Sequence, residues 1–248
     1  MLNKIVELGY SKIEAQELIK VSKDIDEDYK KLLNKYPIQY LIGYVNFYGY
    51  KINVNENVLI PRYETEYLVE KTIKYIKDRF NSKINILDLC TGSGSIAVAL
   101  SKELDMEVDA SDISSKALEI AKINAKENYA NINYIESDLF NKIEGKYDVI
   151  ISNPPYIKTN ESIEQIVKEN EPNIALYAGE DGLEYYRKIL HSVEKNMKER
   201  CLIAFEIGKT QAKPITEIIN STLSNVKVEL KKDLSERDRM IFIFKNLE

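Results

Sequence analysis

From Ile84 to the end of the chain, short continuous apolar runs alternate with longer stretches in which apolar positions recur every three or four residues. The runs Ile84–Leu89, Met106–Ala110, Ile132–Ile135 and Tyr147–Ser152 read as buried strands, and Ser95–Leu104 and Ser115–Asn128 between them read as amphipathic helices. After Ser152 a polar loop extends to Ala178. A helix to Lys198, a strand Cys201–Ile207, a helix Gln211–Leu223 and strands near Val226–Leu230 and Met240–Phe244 follow. Strands without polar alternation must be covered on both faces. The pattern therefore predicts an α/β fold with a doubly wound, mostly parallel, seven-stranded sheet. No helix separates the last two strands, which predicts an antiparallel hairpin at one edge.

The opening part of the chain has a different pattern. Ser11-Lys12-Ile13-Glu14 is a capping box that starts a helix through Leu18 and Ile19, and a second short helix covers Asp26–Leu33. Helices this short build no core alone, so they are expected to pack on the remainder or on a partner. Tyr36-Pro37 ends this piece. Gln39–Leu59 reads as a hairpin or irregular sheet, with Val45–Tyr48, a turn at Gly49 and an alternating Lys51–Val54. Pro61 interrupts, and the helix after it carries Leu68, Val69, Ile73 and Ile76 on one face. The expected organisation is a small helical segment over residues 1–36, a β-hairpin linker over 37–60 and the α/β domain over 61–248.

Composition narrows the function classes. The 248 residues carry a net charge of −5. Nonspecific nucleic-acid affinity comes mainly from clustered Lys and Arg, so an acidic balance spread along the chain argues against a nucleic-acid substrate. Cys90 and Cys201 fall in apolar stretches without metal-ligand neighbours, which predicts buried, reduced thiols and no metal. Lys4 and Glu7 interrupt any secretory signal, and no apolar run is long enough to span a bilayer. The expected compartment is the cytoplasm, with no membrane partner.

Candidate chemistry gathers at strand ends, where ligands of doubly wound sheets bind. The strand Tyr147–Ser152 stops at Asn153-Pro154-Pro155-Tyr156. Each proline holds the residue before it extended, so the Asn153 amide and the Pro154 carbonyl are fixed acceptors. Two acceptors and the Tyr156 ring suit a planar group bearing an NH2, although a plain proline turn would explain the tetrapeptide by itself. The first central strand ends in Asp88-Leu89-Cys90-Thr91-Gly92-Ser93-Gly94-Ser95, where Gly92 and Gly94 allow close approach to a nucleotide-like cofactor. Asp112 ends the next strand about twenty residues beyond, the placement of a carboxylate that accepts ribose hydroxyls. Asp138, after the third strand, is placed to accept an adenine amino group, with Leu139 or Phe140 against the ring. Gly92-x-Gly94-x-x-Ala97 also satisfies the dinucleotide fingerprint, so the loop alone leaves a nicotinamide dinucleotide and S-adenosylmethionine both open.

Asn-Pro-Pro-Tyr after the fourth strand, on a sheet whose first strand ends in Asp-x-x-x-Gly-x-Gly, resembles methyltransferases that act on planar NH2 groups. More closely, the chain resembles the HemK/PrmC family, protein-(glutamine-N5) methyltransferases that modify the Gly-Gly-Gln glutamine of class 1 peptide-chain release factors. The resemblance runs from Tyr36 almost to the C-terminus. It is carried by Pro37-Ile38-Gln39-Tyr40-Leu41-Ile42-Gly43, Ile60-Pro61-Arg62-Tyr63-Glu64-Thr65-Glu66, Leu87 to Ser95, Ser137 to Phe140 and Ser152 to Ile157. Further blocks are Glu171-Pro172, Asp181-Gly182-Leu183, Glu206 to Gln211, Lys232-Asp233-Leu234 and Arg237-Asp238-Arg239. The chain departs from the family at Cys90 and Glu236, where Gly is usual, at Tyr63, where Pro is usual, and in a shorter N-terminal region.

The resemblance implies the class I S-adenosylmethionine-dependent fold, S-adenosylmethionine as cofactor and class 1 release factors as partner. It also implies Asn153, Pro154 and Tyr156 in catalysis, with Pro155 completing the substrate clamp. The cofactor set is Asp88, Cys90, Thr91, Gly92, Ser93, Gly94, Asp112, Asp138, Leu139 and Asn153. The implied reaction is direct displacement by an amide nitrogen, held by the Asn153 oxygen and the Pro154 carbonyl, with Tyr156 as a wall and no general base. The lone His191 reads as a structural or surface residue. Arg62, Glu64 and Thr65 suit either the site entrance or an ordinary helix start, Glu206 ends a central strand facing the site, and Asp233, Arg237 and Asp238 suit a salt-bridged turn equally well. Three other readings compete: methylation of a ribosomal-protein glutamine, methylation of an adenine or guanine exocyclic amine, and a noncatalytic binding module.

Overall fold

The computed structural model describes residues 1–247. Helices α1 (Leu2–Glu7), α2 (Lys12–Val21), α3 (Ile25–Leu33) and α4 (Ile38–Ile42) open the chain. At the start of α2 the Ser11 hydroxyl accepts from the Glu14 N–H at 3.1 Å, and the Glu14 carboxylate accepts from the Ser11 N–H at 2.9 Å, completing the capping box. The four helices bury Ile5, Ala15, Leu18, Leu32 and Ile38 against one another. Two short helices could not have made such a cluster, but α1 and α4 supply the missing sides. Helix α4 lies where sheet was expected. Pro37 precedes it with φ −61° and Gly43 closes it at φ 86°, and a helix this short leaves no periodicity to read.

Strands β1 (Tyr44–Phe47) and β2 (Tyr50–Asn53) pair antiparallel, and Tyr48 and Gly49 between them both have positive φ. That is the I′ geometry whose twist suits a two-residue hairpin loop. The remaining elements are α5 (Tyr63–Arg79), β3 (Ile86–Leu89), α6 (Ser95–Leu104), β4 (Val108–Asp112), α7 (Ser115–Asn128) and β5 (Ile132–Glu136). They continue with β6 (Tyr147–Ser152), α8 (Gln165–Asn170), α9 (Glu184–Ser192), β7 (Met197–Glu206), α10 (Ala212–Thr222), β8 (Val226–Lys232) and β9 (Asp238–Lys245). Strands β3 to β9 form one seven-stranded sheet in the order β5-β4-β3-β6-β7-β9-β8. All neighbours are parallel except β9, which is antiparallel to β7 and β8. This is the doubly wound sheet with an antiparallel edge that the pattern predicts. The helix expected to reach Lys198 ends at Ser192, a 3-10 turn covers Val193–Asn196, and β7 starts at Met197. Asn196, buried, donates to the Ile143 and Gly145 carbonyls at 2.9 and 2.8 Å, and this tie to the segment before β6 pulls the chain out of the helix. Among the described residues no helix is long and apolar enough to cross a membrane.

Successive residues of β6 serve opposite faces of the sheet. Val149 and Ile151 join Leu68, Ile73 and Val98 of α5 and α6, whereas Ile150 joins Tyr186, Ile189 and Ile215 of α9 and α10. The hairpin docks on the first of these layers with Phe47 and Ile52. Its polar attachment is Asn124 of α7, fully buried. The Asn124 Oδ1 accepts from the Asn53 N–H at 2.7 Å and from Asn53 Nδ2 at 2.9 Å, while its Nδ2 donates to the carbonyls of Asn53 at 3.0 Å and Ser93 at 2.8 Å. Removing such a side chain leaves the buried Ser93 carbonyl and the half-buried groups of Asn53 without their partner at once. Asn124→Ala is therefore expected to lower the unfolding free energy by about 1–3 kcal/mol in urea titration. An unchanged midpoint would show that apolar packing alone holds the hairpin.

Candidate active site

Strands β3 and β6 lie side by side where the strand order reverses, and the Ser152 hydroxyl donates to the Leu89 carbonyl at 2.5 Å across their ends. Above them opens a cleft of about 960 Å³, counting the space at its mouth. Its walls come from the segments that leave β3, β4, β5 and β6, together with Asn57 to Leu59, Pro61, Arg62 and Thr65 from before and within α5. Cys90, Thr91, Gly92, Ser93, Asp112, Asp138, Leu139, Asn153 and Pro155 all line it. Asp112 is held by backbone N–H groups, from Gly92 to Oδ2 and from Ser114 to Oδ1, each at 2.9 Å. Gly92 has φ 54°, and a Cβ built there meets nothing within 4 Å, because it would project into open space.

Four expected site residues stand off the wall. Asp88 is fully buried beneath the loop. Its Oδ2 accepts from the Thr91 hydroxyl at 2.5 Å and the Ala97 N–H at 3.1 Å, so it shapes the loop instead of meeting a ligand. Gly94 has φ 79°, and a Cβ there would stand 2.9 Å from Ala121 Cβ, so this glycine serves the packing of α7 against the start of α6. Pro154 and Tyr156 are off the wall for a geometric reason. In extended chain alternate residues face opposite ways, so Asn153 and Pro155 turn into the cleft while Pro154 and Tyr156 turn away. The Tyr156 hydroxyl donates to Glu206 Oε1 at 3.3 Å, behind the wall. Phe140 is buried in the core, which leaves Leu139 as the apolar contact on that side. His191 is exposed on α9 and bonds the Arg187 carbonyl at 2.8 Å.

Several wall residues escaped sequence reasoning. Pro172, Ile174 and Ala175 come from inside the polar loop after β6, and Tyr185 from α9. The loop is tied across the cleft mouth by Glu171, which pairs with Arg62 at 2.6 Å and accepts from the Ile60 N–H at 3.2 Å. Both blocks carry the family resemblance, yet nothing in their spacing says that they meet. A second tie runs behind the wall: the Thr65 hydroxyl donates to Glu206 Oε2 at 2.6 Å, and Asn153 Nδ2 donates to Thr65 Oγ1 at 3.2 Å. Asn153 Oδ1 has no partner among the described residues and is not buried, so it is open to the cleft.

Comparison with known proteins places this architecture. Residues 66–171 match the methyltransferase small domain family. The chain is 38% identical to the release factor glutamine methyltransferase of Lactococcus lactis subsp. lactis over 247 residues, 98% of this chain and 89% of that one. The chain belongs to the release factor glutamine methyltransferase family. Its identity to the Streptococcus pneumoniae member is 40% over 222 residues, covering 88% of this chain and 78% of that one. A 16S rRNA methyltransferase of T. thermophilus, solved with AdoMet and guanosine, shares the fold at a TM-score of 0.59 and 12% identity, over 82% of this chain and 50% of that one.

Cys90 and Glu236, where the family usually has Gly, have φ 63° and 58°, so this chain keeps the left-handed turns without the residue that favours them. Cys90 therefore carries a Cβ in a left-handed conformation that side-chain-bearing residues rarely adopt. Cys90 is half-buried on the cleft wall, not in the core as expected, whereas Cys201 is buried; desolvation, with a smaller push from Asp112, raises the Cys90 thiol far above its usual range and so disfavours the thiolate. Tyr63 is the first residue of α5, where proline is favoured but not needed.

Burial, opposed by the bonds from Thr91 and Ala97, pushes the Asp88 carboxyl up to about 7. The folded protein thus holds this proton more tightly than the unfolded chain. Its contribution to stability is full below about pH 4 and is lost as pH rises through about 7. Asp88→Asn keeps a side-chain oxygen for Thr91 and Ala97 but cannot ionise. The melting temperature of the variant relative to wild type should therefore climb between pH 4 and 7; a constant difference would show that Asp88 ionises freely in the fold.

Proposed function

We propose that this protein transfers a methyl group from S-adenosylmethionine to the side-chain amide nitrogen of the glutamine in the Gly-Gly-Gln motif of class 1 release factors, in the cytoplasm. The observation that carries this reading is the open Asn153 Oδ1, an acceptor on the same cleft wall as the glycine loop and Asp112. The names of the relatives supply the release factor.

The cleft suits the cofactor chemically. Gly92 leaves room for close approach, Asp112 has its carboxylate pinned from behind with lone pairs left for a ribose diol, and Asp138 with Leu139 offers an acceptor and an apolar face for a base. S-adenosylmethionine, when bound, supplies a methyl group on a positively charged sulfur. The chain's own groups supply orientation. Asn153 Oδ1 accepts one hydrogen of the substrate NH2, and the backbone carbonyl of Pro154, whose ring turns away from the cleft, is assigned the other; together they fix the nitrogen and favour the positive charge that develops as its bond to the methyl carbon forms and the S–C bond breaks. One N–H proton then leaves to water. Tyr156 contributes through Glu206, behind the wall. The division into residues 1–36, 37–60 and 61–248 belongs to the same proposal, with the helical segment and hairpin available for docking the release factor.

Incubation with methyl-labelled S-adenosylmethionine and a class 1 release factor is expected to place one methyl on the Gly-Gly-Gln glutamine. Label entering only a ribosomal protein or nucleic acid would sink the reading. Asn153→Ala should lose on the order of 100-fold in kcat with cofactor binding retained, and wild-type turnover in this variant would remove Asn153 from the reaction. Asp112→Ala should raise the cofactor Kd in calorimetry; an unchanged Kd would take Asp112 out of the cofactor site.

A further inference from the structure

We infer that Thr65 is a positioning residue for this reaction: its hydroxyl, held by the Glu206 carboxylate, decides which end of the Asn153 amide faces the cleft. The inference rests on the methyl-transfer reading of the cleft. Three elements meet in it. Glu206 ends β7, Thr65 lies in the first turn of α5, and Asn153 follows β6. Glu206 is 1% exposed and Thr65 3%, so neither exchanges its partner for water.

The direction of each bond follows from what the groups can give. An ionised carboxylate only accepts, and a threonine hydroxyl has a single hydrogen. That hydrogen goes to Glu206 Oε2 at 2.6 Å. What Thr65 Oγ1 then presents to Asn153 is lone pairs, which only the amide NH2 can satisfy, and the contact at 3.2 Å is made by Nδ2. Oδ1 is left facing the cleft. With the amide turned over, its oxygen would oppose the Thr65 lone pairs and its NH2 would oppose the NH2 of the substrate. The relay therefore presents an acceptor to the reacting nitrogen, and so favours a glutamine amide over a glutamate carboxylate. Burial, helped by the Glu64 charge, raises the Glu206 carboxyl above its ordinary value, against the Thr65 bond, the Arg239 charge and the Tyr156 hydroxyl, which favour its ionised form.

The test compares wild type, Thr65→Val, Thr65→Ser, Glu206→Gln and the double variant Thr65→Val/Glu206→Gln in methyl transfer to a release factor, with cofactor Kd measured alongside. Thr65→Val should lose on the order of 10- to 100-fold in kcat with Kd unchanged, and Thr65→Ser should restore most of the turnover. Glu206→Gln should also slow the reaction, because an amide there can donate to Thr65 and free its hydroxyl to turn toward Asn153. The double variant should be no slower than the slower single one, since Glu206 acts through Thr65. Wild-type kcat in Thr65→Val, no rescue by serine, or losses that multiply in the double variant would overturn the relay. A second readout needs no turnover: the Asn153 side-chain NH2 signal in proton–nitrogen correlation spectra, assigned with Asn153→Asp, should move in Thr65→Val and stay in Thr65→Ser. A signal that Thr65→Val leaves unmoved overturns the relay, whereas a wild-type protein that does not label the release factor overturns the methyl-transfer reading instead.

Discussion

The bond from the Ser152 hydroxyl to the Leu89 carbonyl, 2.5 Å long and fully buried, ties together the ends of two parallel strands from which the chain leaves in two directions. From β3 it turns through Cys90 into the glycine loop, and from β6 it runs straight through Asn153 into the two prolines. The cofactor loop and the substrate clamp are therefore neighbours by construction. Because the strand order reverses at this pair, with β4 and β5 to one side and β7 to the other, the crossover helices diverge and leave the cleft open between them.

Two buried carboxylates stand behind that cleft without lining it. Asp88 takes hydrogens from Thr91 and Ala97 and so shapes the glycine loop. Glu206 takes hydrogens from Thr65 and Tyr156 and so shapes the clamp. A carboxyl group in a dry site is costly to bury, and the fold offsets part of that cost by aiming donors at one oxygen of Asp88 and at both oxygens of Glu206. The result is polar rigidity under both halves of the site. Tyr186 adds to it from α9, its hydroxyl donating to the Glu206 carbonyl at 2.7 Å.

The loop after β6 shows the same economy at the surface. It is polar and carries little regular structure, yet Glu171 is 2% exposed in its side chain and holds Arg62 from a block more than a hundred residues earlier. This tie brings Pro172, Ile174 and Ala175 onto the cleft wall. The positions of Cys90 and Glu236 carry a related lesson. The backbone turn survives where the favoured glycine does not, because surrounding bonds such as Thr91 N–H to the Ser111 carbonyl at 2.9 Å and Glu236 N–H to the Asp233 carbonyl at 3.0 Å hold it.

Much of this was legible in the residues alone. Apolar runs and helical periodicity identified the seven strands, the antiparallel edge and the helices Ser95–Leu104 and Ser115–Asn128, because burial imposes those periods directly. That Asn153, Gly92, Asp112 and Asp138 would face one cleft was legible too, because they follow the strand ends of a doubly wound sheet. Helix α4, the early start of β7 and the inward turn of Pro155 in place of Tyr156 were not, since a one-turn helix, a tie from Asn196 and the facing of an extended segment depend on neighbours. Nor could spacing reveal that Thr65, Asn153 and Glu206 share hydrogens. Periodicity records which positions meet water, whereas the direction of a hydrogen bond between distant buried groups exists only once the fold has brought them together.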